Sequence, residues 1–194
     1  MQARLARPHD DHRPEAQAEA ELVRQARDDP ACFTRLYERY RAPVYWYLRT
    51  RVPHDEDAAD LTQQAFLQAL ERLHQYQERK GSFAAWLFAI ARHAATNAHR
   101  GPRVVAWDYL PPGLPATQTE TPETDLLQRE RVARITQLLR ALPVQKRELL
   151  VLRFVSDLTL PDIAAVLGKS PEATRKELRR ILDALKERYD DPTI

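Results

Sequence analysis

Glycine is scarce. The chain has four in 194 residues, Gly81, Gly101, Gly113 and Gly168. So few argue against a collagen repeat, a Gly-rich phosphate loop and a turn-dense β architecture. Cysteine is scarcer still: Cys32, alone, can form neither an intramolecular disulfide nor a multi-cysteine zinc site. It reads as a small core residue. Aromatic residues make up only 8%. Long apolar runs are missing too, so no transmembrane helix is expected. The stretch from Met1 to Ala20 carries Arg, Asp and His and has no apolar centre, unlike a signal peptide. These absences point to a cytoplasmic protein without membrane insertion. An excess of one charge is also lacking, with 30 Lys and Arg against 28 Asp and Glu, a net +2. Bulk electrostatics therefore do not announce a nucleic-acid binder, and the distribution of charge has to be read instead.

What is abundant is Ala, Leu, Arg, Glu and Gln, all good helix formers. The expected fold class is all-α. Residues 1–14 are polar, with Pro8 and Pro14, and read as a disordered tail. Helical periodicity begins near Glu15 and is clear in Phe33, Leu36, Tyr37, Tyr40, Val44 and Tyr47. Pro43 should kink or break that run, and Pro53 should end it. Asp55, Glu56 and Asp57 suit the start of a next helix, expected to reach about Gln75. Tyr76 to Ser82 reads as a polar loop. A third helix follows from Phe83 to His99, dense in apolar residues and closed by Gly101 and Pro102. From Pro102 to Pro122 five prolines preclude a long helix, so 102–124 reads as a flexible interdomain linker. Helices resume over Asp125–Leu142 and Val144–Val155, followed by two shorter elements that meet at Gly168. The layout is two small helical domains, 15–101 and 125–190, joined by the Pro-rich linker.

The sharpest local pattern lies between Leu160 and Leu185. Ile163, Ala164 and Leu167 share one face of a short helix, and Gly168 permits the positive φ of a tight turn. Ser170 is a good N-cap, Pro171 suits the first helical turn and Glu172 suits the helix dipole. The following helix buries Leu178, Ile181, Leu182 and Leu185, and carries Arg175, Lys176, Arg179 and Arg180 on its other face. This is the pattern of a DNA-binding helix-turn-helix, in which Glu172, Arg175, Lys176 and Arg179 reach base edges or phosphates. A plain helical hairpin with a solvated charged face is the bland reading.

The first half holds a second basic region. Between Glu78 and Asp108 there is no acidic residue, and the window contains Arg79, Lys80, Arg92, Arg100 and Arg103 with Phe83, Trp86, Phe88 and Trp107. Cations beside aromatic rings suit single-stranded nucleic acid. The helical spacing of Phe83, Trp86, Leu87 and Ile90 assigns most of these aromatics to the core instead. Asp60, Gln63 and Gln64 form a polar face which, from spacing alone, is simply solvated.

Three stretches together resemble a known family. Asp57-Ala58-Ala59-Asp60-Leu61-Thr62-Gln63-Gln64-Ala65-Phe66-Leu67 resembles the polymerase-binding helix of sigma-70-family factors. Gly81-Ser82-Phe83-Ala84-Ala85-Trp86-Leu87-Phe88 through Arg92 resembles their promoter-melting segment. Ala141-Leu142-Pro143 through Leu150, then Leu158 to Arg180, resembles their C-terminal promoter-binding domain. Two small domains with a linker and little else is similar to the extracytoplasmic-function (group IV) sigma factors. The resemblance implies a three- to four-helix region 2-like domain and a four-helix region 4-like domain. It implies that Asp60, Gln63, Gln64, Phe66 and Leu67 form or support the surface that docks on RNA polymerase core, through its β′ and β subunits. It implies that Tyr76, Arg79, Lys80, Ser82, Trp86, Arg92, His93, Asn97 and Arg100 engage the −10 promoter element. Ser170, Glu172, Arg175, Lys176 and Arg179 would read the −35 element. The partners implied are polymerase core, promoter DNA and an anti-sigma factor, with no cofactor, metal or catalytic residue. His93, Asn97 and Thr174 depart from the residues the family commonly carries there.

Two other readings compete. One is a stand-alone helix-turn-helix regulator whose N-terminal half binds a ligand among Phe33, Tyr37, Tyr40, Tyr45, Trp46 and Tyr47, or dimerises. The other is an enzyme. Glu71-x-x-His74 has the spacing of a di-iron helix motif, but the further ligands such a site needs are not evident in the sequence.

Overall fold

A computed structural model describes residues 13–98 and 122–190, with side chains over 17–98 and 129–190. Arg100, Gly101, Gly113, the N-terminal tail up to position 12 and the linker over 102–121 lie outside the described residues. Eight α-helices and no strand occur among the described residues, in agreement with an all-α chain. They are α1 (Arg13–Gln25), α2 (Pro30–Arg49), α3 (Asp55–Glu71), α4 (Phe83–Ala98), α5 (Pro122–Arg140), α6 (Val144–Phe154), α7 (Leu160–Leu167) and α8 (Pro171–Asp190).

Local chemistry explains where the first helices begin. The Asp29 side chain accepts from Ala31 N, and Pro30 takes the first helical position of α2. Along α2, Phe33, Leu36, Tyr40, Val44 and Tyr47 are buried at spacings of three and four, forming the stripe that α3 and α4 cover. The break expected at Pro43 does not occur. The proline removes one backbone donor, but α2 continues through it, because Val44 and Tyr47 on the next turn are fully buried. Tyr37, Tyr45 and Trp46 are half-buried, so the aromatic cluster is bundle core with an amphipathic fringe.

α3 opens on three acidic residues, Asp55, Glu56 and Asp57, which complement the helix dipole. It stops at Glu71, short of the expected Gln75, and short 3₁₀ turns follow at Leu73–Gln75 and Glu78–Lys80. Glu71 and His74 therefore do not lie on one continuous helix, as the di-iron spacing required. Cys32 is half-buried, with its thiol against Gln25 and Asp29, at the edge of the core and not inside it.

Ser82 caps α4, its Oγ accepting from Ala85 N at 3.0 Å. α4 buries more than half of its circumference through Phe83, Ala84, Ala85, Leu87, Phe88, Ala91, Ala94 and Ala95, and leaves Ala89, His93, Thr96 and Asn97 exposed on the remaining side. An apolar surface that wide needs cover from more than one neighbour. α2 and α3 supply it on one side, and α7, from the second half of the chain, supplies it on the other.

In the second half, Thr159 Oγ1 accepts from Asp162 N and starts α7. Gly168, at φ 68° and ψ 36°, ends it, and Lys169 N closes back on Ala164 O at 2.9 Å. Ser170 Oγ then accepts from Ala173 N at 3.2 Å and starts α8. Ala164 is buried where α7 meets α8, and Thr174, Leu178 and Ile181 fill the seam from α8. One contiguous set of buried residues runs from Val23 to Ile181 through both halves.

Candidate functional site

Three surfaces carry the chemistry, and each is set by helical phase. On α3, Asp60, Gln63, Gln64 and Leu67 recur at i, i+3, i+4 and i+7 and are all exposed. Leu67 is 60% exposed and Leu70 44%. Phe66, one position away, is buried and meets Tyr37 edge-on at a centroid distance of 4.8 Å and Phe33 at 6.5 Å. The outward face is thus a leucine among polar groups, braced from below by an aromatic cluster.

The second surface runs from Tyr76 along α4. Tyr76 is buried, contrary to its expected place at the DNA surface. Its hydroxyl donates to Gly81 O at 2.9 Å, and Arg27 Nη2 donates to its carbonyl at 2.7 Å. Burial, with the Glu19, Glu78 and Asp162 carboxylates, pushes its phenol up to about 12. Its ring lies 5.9 Å from Phe83 and 5.4 Å from Trp86, so it shapes the loop from inside. Gly81 holds φ 145° and ψ 171°, a conformation open essentially to glycine alone. That turn leaves Arg79 and Lys80 exposed. Trp86 is half-buried, and His93 and Asn97 are exposed. Arg92 is half-buried and already engaged (below).

The third surface is the start of α8. Ser170, Glu172, Arg175, Lys176 and Arg179 are all exposed, on the side away from the fully buried Thr174. The Thr174 hydroxyl donates to Ser170 O at 3.0 Å, which satisfies the one polar group it buries. Lys169 pairs with Glu177 across the turn.

Glu148 of α6 was not singled out from the sequence. Its carboxylate is buried and accepts from Tyr47 Oη at 3.0 Å, from Arg92 Nε at 2.9 Å and from Arg51 Nη2. Arg51 also stacks over the Tyr47 ring, 4.9 Å from its centroid. Burial raises the Glu148 carboxyl, but Arg51, Arg92 and the Tyr47 hydroxyl outweigh it and hold the group below the ordinary glutamate value. Burial, the stronger influence, and the nearby carboxylate push the Tyr47 phenol upward. A second polar contact joins the halves: Ser82 Oγ donates to Asp162 Oδ1 at 2.5 Å, while Thr159 Oγ1 donates to the other oxygen of that carboxylate. The available sequence signal was one acidic residue in phase with the apolar positions Val151 and Leu152 of α6.

Comparison with known proteins bears on what these surfaces are. Residues 36–103 match the family described as Sigma-70 region 2, and residues 133–185 match Sigma-70, region 4. The chain is 33% identical over 157 residues to the ECF RNA polymerase sigma factor BldN of Streptomyces coelicolor, an alignment covering 80% of this chain and 60% of that protein. It is equally 33% identical to the ECF RNA polymerase sigma factor SigD of Mycobacterium tuberculosis, covering 77% of this chain and 73% of that one. Among solved structures, CnrH in complex with the cytosolic domain of CnrY superposes with a TM-score of 0.61 at 25% identity, over 90% of this chain and 99% of CnrH. Two regions in this order, on helices of this arrangement, define a sigma-70-type protein. The chain belongs to the extracytoplasmic-function (ECF) sigma factors of the sigma-70 family.

Proposed function

We propose that the chain is a promoter-specificity subunit of bacterial RNA polymerase, acting in the cytoplasm and carrying no catalytic residue, metal or cofactor of its own. Its N-terminal domain, about residues 15–101, docks on polymerase core through Asp60, Gln63, Gln64 and Leu67, with Phe66 beneath them. The same domain engages the −10 element through Arg79, Lys80, Ser82, Trp86, Arg92, His93, Asn97 and Arg100, while Tyr76 supports that loop from within. There the non-template strand leaves the duplex, an unstacking that costs a few kcal/mol and is offset by contacts to the opened strand. The C-terminal domain, about 125–190, reads the −35 duplex with the N-terminal half of α8.

The observation that carries this reading is the exposure on α8 of Arg175, Lys176 and Arg179 over a turn built by Gly168 and Ser170, on a chain that also presents the separate outward face of α3. A stand-alone regulator has no need of that second face. Joining weak grips on DNA and polymerase raises their effective concentration, so no single surface has to be strongly basic. CnrH is held by a protein partner, the cytosolic domain of CnrY, and by similarity an anti-sigma protein would bind this chain.

The test is separation of roles in transcription with purified core enzyme. Arg175→Ala should cut −35-dependent transcription and leave core affinity unchanged. Asp60→Ala with Gln63→Ala should weaken core binding and leave −35 duplex contacts intact. Tight, promoter-specific duplex binding by the protein without polymerase would overturn the proposal in favour of a stand-alone regulator.

A further inference from the structure

No side chain from Gln77 to Lys80 is buried, so this loop is held by its two ends, Tyr76 and Gly81. It carries Arg79 and Lys80, the exposed cations of the proposed −10 surface. The ends are tied to each other: the Tyr76 hydroxyl donates to Gly81 O at 2.9 Å and closes the loop into a ring. Inside the ring Lys80 N donates to Gln77 O at 2.9 Å and Gly81 N to Glu78 O at 3.1 Å. The Arg79 guanidinium donates to Gln77 Oε1 and is aligned along the loop. A second tie comes from α1. Arg27, just past the end of that helix, donates from Nη2 to Tyr76 O at 2.7 Å. Its backbone follows directly on Ala26, which is buried in the core together with Val23. Further back along α1, Glu19 accepts from the Tyr40 hydroxyl. The Tyr40 and Tyr76 rings each lie 5.9 Å from Phe83. α1 thus grips two tyrosines that flank the first residue of α4.

From these ties we propose that Arg27 is a positioning residue for −10 recognition: acting through Tyr76, it holds the loop over 77–81 in one conformation and sharpens its choice of base. The proposal rests on the sigma reading for what the loop reads, not for the brace itself. A loop that is already ordered loses less conformational entropy when it takes hold of a strand. Discrimination between bases needs contacting groups fixed to within about 0.5 Å, and a loop with no buried side chain attains that through ties at its ends. Both donors are permanent. A guanidinium is charged at every physiological pH, and burial together with nearby carboxylates keeps the Tyr76 phenol protonated.

The experiment uses the full chain, free and in holoenzyme with purified core. Three variants are compared with the parent: Arg27→Met, which keeps the stem and removes the donors; Arg27→Lys, which restores one cationic donor; and Tyr76→Phe, which removes only the hydroxyl. Hydrogen exchange of the Lys80 and Gly81 amides reports loop order in the free chain. Exchange of the slow amides of α2 and α4 reports whole-protein stability. Transcription from a promoter selected by the parent holoenzyme, randomised over its −10 element, reports base preference. The expected result is about tenfold faster exchange at Lys80 and Gly81 in Arg27→Met and Tyr76→Phe, with α2 and α4 unchanged. Preference for the favoured base should fall about threefold or more at one −10 position, part of the discrimination that one base contact supplies. Arg27→Lys should lie between the parent and Arg27→Met in both readouts. Unchanged loop exchange in Arg27→Met overturns the brace, whatever Tyr76→Phe does. Faster exchange with yield lowered evenly over all −10 sequences overturns the positioning role, because a structural loss moves yield and not preference. Faster exchange in a protein whose parent form selects no promoter keeps the brace and overturns the sigma reading, so the two failures are distinguishable. If the α2 and α4 amides also speed up in Arg27→Met, the decision falls to Arg27→Lys, whose loop exchange must then exceed the parent's with those amides unchanged.

Discussion

Adjacent residues on α3 should separate folding from docking. Leu67 is 60% exposed, so most of its side chain contributes nothing to the folded core. Leu67→Ala should therefore change the unfolding free energy by no more than about 0.5 kcal/mol, the usual range for a surface site. In the proposed complex with polymerase core, that exposed surface becomes buried. Full burial of a leucine is worth about 1.5–3 kcal/mol, so three-fifths of it is worth about 1–2 kcal/mol. This converts to a loss of roughly 5- to 30-fold in core affinity, taking about 1.4 kcal/mol per decade. Phe66→Ala should do the reverse. Its ring is 4% exposed and contacts Phe33 and Tyr37, so truncation leaves a cavity costing about 3–5 kcal/mol of stability. Urea denaturation measures the first quantity. Titration of dye-labelled protein with purified core enzyme measures the second. A Leu67→Ala protein that is destabilised by several kcal/mol, or that binds core as the parent does, would refute the reasoning.

Three further outcomes follow from backbone and charge. A Cβ at Gly168 or Gly81 meets no atom within 4 Å, so any cost of alanine there is conformational. Gly168→Ala, at φ 68°, should lower stability by about 1–2 kcal/mol in urea denaturation, as for other L-residues in the left-handed region. Gly81→Ala, at φ 145° and ψ 171°, should cost at least as much, about 1–3 kcal/mol, and should disturb the tryptophan fluorescence of neighbouring Trp86. Stability should also depend on pH through Glu148. Its carboxyl is held below the ordinary value, so its contribution is complete above about pH 4.5 and disappears as the pH falls through the lower folded value. The stability advantage of the parent over Glu148→Gln should accordingly shrink in urea titrations below about pH 4.

Much of this protein is a consequence of local sequence. The helix starts at Pro30, Asp55 and Pro171 follow from residues that cap or suit a first turn, and the turn at Gly168 follows from the only residue type at ease at that φ. The faces of α3 and α8 follow from 3.6-residue periodicity, which puts Asp60, Gln63, Gln64 and Leu67, or Arg175, Lys176 and Arg179, outward once their apolar neighbours are buried. Such features depend on interactions a few residues apart, so the sequence states them directly. Tertiary structure decided the rest. α2 passes through Pro43 because burial of Val44 and Tyr47 outweighs a lost backbone bond. Tyr76 lies inside its loop because Phe83 and Trp86, brought round by the turn at Gly81, offer it a ring to pack against. The apolar girth of α4 was visible in its residues, but that α7 covers its second side was not. Nor was the meeting of Tyr47, Arg51 and Arg92 at Glu148, which brings together side chains 56 to 101 positions apart along the chain. No local period encodes such a contact. Desolvation makes a buried charge costly unless it is paired, and only the packing of the two halves determines which partners are within reach.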